Sequence, residues 1–117
     1  MKSPTFAPAY VGLYPILVEV AQKYGYALAV HGSVSRDFDL IAVPWADEVA
    51  DPEVLIRAIA ERVSFTMDSA ISVDRLFSAP YCELKAHGRR SWCLPLDCGA
   101  YLDISVMPVC ESVNEEA

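Results

Sequence analysis

The stretch from Val30 to Trp45, VHGSVSRDFDLIAVPW, most constrains what this chain can fold into. One apolar run stops at Gly32-Ser33, and a second, Leu40 to Val43, begins directly after Asp37 and Asp39. Residues two apart on a strand point to the same side. The pattern therefore predicts two strands broken by a glycine turn, with two carboxylates standing together where the second strand starts. Paired carboxylates of this kind suit a divalent metal that carries phosphates. Gly32 lets the backbone approach a phosphate closely, where exposed N–H groups can cradle it, and Ser33 adds a hydroxyl donor.

The rest of the chain supplies helices and further strands. Leu13, Ile16, Leu17, Val20, Ala21 and Tyr24 recur at helical spacing after an irregular segment 1–11 that contains Pro4 and Pro8. Pro15 fits a first helical turn and Gly25 a C-terminal cap. Tyr26 to His31 reads as a short buried strand, and Phe38 to Val43 as a second, ended by Pro44. Asp51-Pro52 predicts a helix start, with Val54, Leu55, Ala58, Ile59 and Val63 facing inward and an end near Ser64. Residues 66–80 carry little signal beyond a short helix over Ile71 to Phe77. Tyr81 to His87 and Arg90 to Leu94 read as a hairpin around Gly88, and Ala100 to Met107 as a last strand after the turn at Asp97-Cys98-Gly99. The expected class is α+β, a mixed sheet with helices packed mainly on one face. On the last strand Leu102, Ile104 and Val106 face one way, whereas Asp103 and Ser105 face the other. Asp103 is thus a third acid opposite the aliphatic row.

At 117 residues, 54% of them apolar and 21% charged, the chain has the material for one globular core, so residues 1–117 are read as a single domain with an acidic tail at 111–117. No apolar run is long enough to span a bilayer, and the first residues lack the apolar core of a signal peptide, so a cytoplasmic protein without a membrane partner is expected. The net charge of −7 argues against general nucleic-acid binding. One basic cluster stands out, Lys85, His87, Arg89 and Arg90, which is either a solvated hairpin edge or a local phosphate contact. Cys82, Cys93, Cys98 and Cys110 form no C-x-x-C pair, and Cys82, Cys93 and Cys110, set among apolar or strand-forming residues, read as reduced small hydrophobes. Taken singly, the other pieces have plain readings. A D-x-D at a strand end is a solvated turn by default, His31 caps a core strand, Arg36 forms a salt bridge, and Trp45 and Trp92 are packing residues.

The combination resembles the nucleotidyltransferase superfamily, the DNA polymerase β-like fold, and most closely its compact single-domain members. Gly32 and Ser33 match the family's G-S turn, Asp37 and Asp39 its paired acids, and Asp103 in LDIS its third acid. The likeness runs from about Leu13 to Met107. It implies Mg²⁺-dependent transfer of a nucleotidyl group from a nucleoside triphosphate to a hydroxyl acceptor. Asp37, Asp39 and Asp103 would hold one or two metal ions, and Asp103 would help activate the acceptor. Gly32 and Ser33, with Lys85, His87, Arg89 and Arg90, would contact the triphosphate. Only Val34, Ser35 and Arg36 separate the G-S from the first acid, a shorter link than in many members, and the chain carries no added acceptor domain. A protein partner or a second copy in a homodimer would supply what is missing. The alternative is a non-catalytic nucleotide- or protein-binding module that keeps the fold.

Overall fold

Apolar residues at helical spacing on two segments, and at alternate positions on the central strands, place two helices over one face of a sheet. The computed structural model describes residues 6–32, 34, 37–67, 73–77, 81–96 and 99–109. The order is α1 (Ala7–Lys23), β1 (Tyr26–Val30), β2 (Asp37–Pro44), α2 (Pro52–Met67), a 3₁₀ segment Val73–Phe77, β3 (Cys82–Leu84), a 3₁₀ turn Ala86–Gly88, β4 (Arg90–Pro95) and β5 (Tyr101–Val106). The strands form one five-stranded sheet in the order β1-β2-β5-β4-β3. Only β2 and β5 are parallel; the other pairs are antiparallel, so the fold is α+β with a mixed sheet.

The alternation decides which face is covered. Phe38, Leu40 and Ala42 on β2, Leu102, Ile104 and Val106 on β5, and Trp92 and Leu94 on β4 are buried. They pack with Tyr10, Leu13, Leu17 and Ala21 of α1 and Leu55, Ile56, Ile59, Ala60 and Val63 of α2 in a single core. Tyr10 stacks on Phe38 with ring centroids 4.9 Å apart, which fixes the start of α1 over the start of β2. Phe77 meets Trp92 edge-on, so the Val73–Phe77 turn closes the same face over β4. Tyr14 Oη donates to the Leu28 carbonyl at 2.7 Å and covers part of the outer edge of β1, which would otherwise offer unpaired backbone.

Several boundaries differ from the sequence expectations. The first helix begins at Ala7, so described residues within the segment expected to be irregular are helical. Pro8 occupies the helix start and Pro15 lies well inside it. The missing Pro15 N–H is tolerated because Pro15 sits on the exposed side of the helix. In α2 the buried stripe includes Ile56 and Ala60, while Val54 is largely exposed. That helix runs on to Met67, past the expected end near Ser64. Of the two tryptophans, Trp92 is fully buried, but Trp45 is 82% exposed and is not a packing residue. Ser33, Arg36, Asp97, Cys98, Cys110 and the tail 111–117 lie outside the described residues. No described helix is long and apolar enough to cross a membrane.

The Tyr10–Phe38 stack makes a direct prediction. Phe38→Ala should cost about 3–5 kcal/mol in denaturant unfolding, the usual cost of deleting a buried ring. Phe65→Ala, at a ring 85% exposed, should change stability by less than about 0.5 kcal/mol.

Candidate functional site

The face of the sheet opposite the helices carries the three acids. In the parallel β2–β5 pair Asp39 stands directly beside Asp103, and Asp37 beside Tyr101. Cross-strand partners project from the same face, and residues two apart share it, so all three carboxylates rise from one open shelf. The row extends further at the same level. Cys93 of β4 is the register partner of Asp103, and the His31 backbone N–H donates to the Asp39 carbonyl at 2.9 Å. His31, Asp39, Asp103 and Cys93 thus occupy neighbouring positions across four adjacent strands. His31 is exposed, whereas Asp39, Asp103 and Cys93 are half-buried.

Gly32 is tied to this row physically. Its φ of +76° is a left-handed conformation that glycine adopts freely. A Cβ at that position would lie 2.7 Å from Oδ2 of Asp39. The glycine therefore does two things, turning the chain out of β1 and leaving room for the Asp39 carboxylate. A glycine-to-acid link of this kind cannot be read from sequence order alone.

Electrostatics identify Asp39 as the focus. Burial raises its pKa most, and the neighbouring Asp103 and, more weakly, Asp37 raise it further, while His31 opposes the rise. Burial likewise pushes the Cys93 thiol up, with Asp103 and Asp37 adding to it, so Cys93 is held as an unreactive neutral thiol. A divalent cation would relieve the repulsion among the acids. The donor set fits magnesium, which takes hard oxygen ligands and commonly uses one or two protein carboxylates, with water and phosphates completing the shell. The Asp39–Asp103 pair meets that description. As they stand, no group of three or more described His, Cys, Asp and Glu side chains is drawn together around a single ion position.

The basic cluster lies elsewhere. Arg90 is the partner of Val106, on the helix-covered face. Its guanidinium bonds Glu53 of α2 at 3.1 Å and lies over the Trp92 ring at 4.7 Å. Arg90 therefore ties α2 to β4 rather than facing the acids. Lys85, His87 and Arg89 belong to the turn beyond that end of the sheet, where Lys85 also approaches Glu83 at 3.6 Å. Arg89, just before β4, is four residues from the Asp103 partner Cys93, or about 13 Å at the usual strand rise. His87 and Gly88 both adopt positive φ, which is the conformation of a tight hairpin turn. The structure thus gathers Gly32, Asp37, Asp39 and Asp103 at one end of the sheet and leaves Lys85, His87, Arg89 and Arg90 at the other. Two residues of the row that the sequence reading gave only structural roles are His31, as a strand cap, and Cys93, as a small hydrophobe. The register of β1 and β4 against the acid strands is what places them there.

A groove of about 270 Å³ lined by Val20, Lys23, Tyr24, Ala58, Glu61, Arg62 and Phe65 opens between α1 and α2, on the covered side and away from the acids. No protein-family model matches the chain, and a search of curated proteins gives no match either.

Two stability measurements test this geometry. Gly32→Ala should cost about 1–3 kcal/mol, the range for a non-glycine residue in a strained backbone region. Gly99→Ala is the control, since Gly99 has a φ of +85° but no atom near its missing Cβ. The alanine at position 32 should cost more, and the excess should shrink in an Asp39→Ala background, as a double-mutant cycle would register. The second measurement concerns pH. Because the folded state raises the Asp39 pKa, it keeps a proton that the unfolded chain has already released as pH climbs past the ordinary carboxylate range. Ionised Asp39 therefore weighs against folding at neutral pH. Asp39→Asn should raise the melting temperature at pH 7 and lose that advantage below the ordinary carboxylate range, where both states are protonated.

Proposed function

We propose that the acidic shelf is the site of a Mg²⁺-dependent nucleotidyltransferase that moves a nucleotidyl group from a nucleoside triphosphate to a hydroxyl acceptor. The observation that carries this reading is the side-by-side placement of Asp39 and Asp103 on parallel strands, with Asp37 on the same face and Gly32 packed against Asp39. Asp39, with Asp37 and Asp103 on the same face, would hold a Mg²⁺ that carries the triphosphate. Asp103, one strand away, accepts the proton of the acceptor hydroxyl as that oxygen bonds to the α-phosphorus. The bond to the β-phosphate oxygen breaks, and pyrophosphate leaves. Bound Mg²⁺ would neutralise phosphate charge and align the reacting groups. The half-buried floor beneath the carboxylates strengthens each of these interactions relative to open water.

A second reading is a non-catalytic module that binds a nucleotide or a protein partner through the same shelf. Its support is the position of Arg90, held by Glu53 and Trp92 rather than by the acids. Turnover with a labelled nucleoside triphosphate and a hydroxyl acceptor separates the two.

Binding is tested first by thermal unfolding. A ligand that binds only the native state stabilises it. Mg²⁺ or Mn²⁺ with a nucleoside triphosphate should therefore raise the melting temperature more than the metal alone. Asp39→Asn should remove that increment while the protein stays folded, and Arg90→Ala should keep it. An increment that survives Asp39→Asn would take the acids out of the site.

A further inference from the structure

We propose that His31 is a phosphate-contacting side chain of the acidic shelf, donating an imidazole N–H to the oxygens of a triphosphate bound there. The proposal rests on the reading of the shelf as a triphosphate site. Its starting point is a charge conflict. Asp37, Asp39 and Asp103 rise from one face, and a triphosphate approaching them meets like charge unless donors or cations stand close by. The hairpin that carries Lys85, His87 and Arg89 lies roughly 10–13 Å further along the strands, and Arg90 is turned to the opposite face.

His31 is at the right place. Val30 and Leu40 are partners, so the next pair outward is His31 with Asp39, and the 2.9 Å bond from the His31 N–H to the Asp39 carbonyl continues the ladder. That pair faces the open side, because Leu40 belongs to the buried side. Among the described residues, the charged groups facing His31 are Asp37 and Asp39 from β2 and Asp103 from β5, beyond Asp39. From its own strand Ala27 and Ala29 share the face, and their methyl groups cannot donate to a phosphate. Gly32 follows and carries no side chain of its own. The backbone bond fixes the Cα of His31, while the exposed ring stays free to turn toward a ligand over Asp39.

The test is a calorimetric titration of the whole chain with Mg²⁺ and inorganic triphosphate, which removes any contribution from a base. Loss of one charge-assisted hydrogen bond corresponds to roughly tenfold weaker binding. His31→Ala should show that loss, and His31→Gln, which keeps a donor, should recover part of it. Binding of Mn²⁺ alone, followed by electron paramagnetic resonance, should be unchanged in His31→Ala and lost in Asp39→Asn. Wild-type affinity in His31→Ala, with affinity lost in Asp39→Asn, would overturn the role of His31 and leave the acidic site standing. Loss of Mn²⁺ in His31→Ala would also overturn it, by making His31 a metal ligand. Failure of the wild-type protein to bind either probe would remove the site and this inference together.

Discussion

The parallel pairing of β2 with β5 is the contact on which the rest of the structure depends. Its register sets Phe38 beside Leu102 and Leu40 beside Ile104, which makes one continuous apolar surface for the two helices. The same register sets Asp39 beside Asp103 on the reverse face. A slip of one residue in either strand would bring a carboxylate under the helices and an aliphatic side chain into water. Burying an unpaired carboxylate in that core would cost several kcal/mol. The hydrophobic core therefore holds the acids in place, although no acid takes part in it.

This division of labour explains why the two ends of the sheet differ. At the end where β2 and β5 begin, the backbone turns at Gly32 and the side chains are acidic. At the other end Arg90 is drawn beneath the helices by Glu53 and the Trp92 ring. Such a contact combines a partly exposed ion pair, worth little by itself, with a cation over an aromatic face, worth more where water is excluded. It anchors α2 to β4. A basic cluster that looks like one unit along the chain is split because Lys85, His87 and Arg89 sit in or beside the turn, while Arg90, the first residue of β4, points to the helix-covered face.

The acids are close enough to feel one another yet are spread along the shelf. Asp39 bears most of the resulting strain, since it is partly buried and has Asp103 at its side. A site arranged in this way is incomplete in its charge and suits a cationic or hydrogen-bond-donating ligand. Cys93, next in the row, stays neutral for the same reason, because the field that favours a cation disfavours a thiolate.

Much of the architecture was legible in the sequence because it depends on local pattern. Alternation in DFDLIAV and LDISV was enough to put the acids opposite the aliphatic rows, and Asp51-Pro52 marked a helix start. Helix ends were less legible. Pro8 read as part of an irregular segment and Pro15 as the first turn, yet the helix starts at Ala7 and runs on through Pro15, with Tyr10 packed against Phe38. What only the tertiary structure decided is which strands are neighbours. Pairing between β2 and β5 joins residues more than sixty positions apart, and no local signal encodes it. That pairing brings Asp103 to Asp39, while the registers of β1 against β2 and of β4 against β5 place His31 and Cys93 in the same row and Arg90 on the other face. The sequence by itself determined which residues could face water together; the order of the strands decided which of them meet.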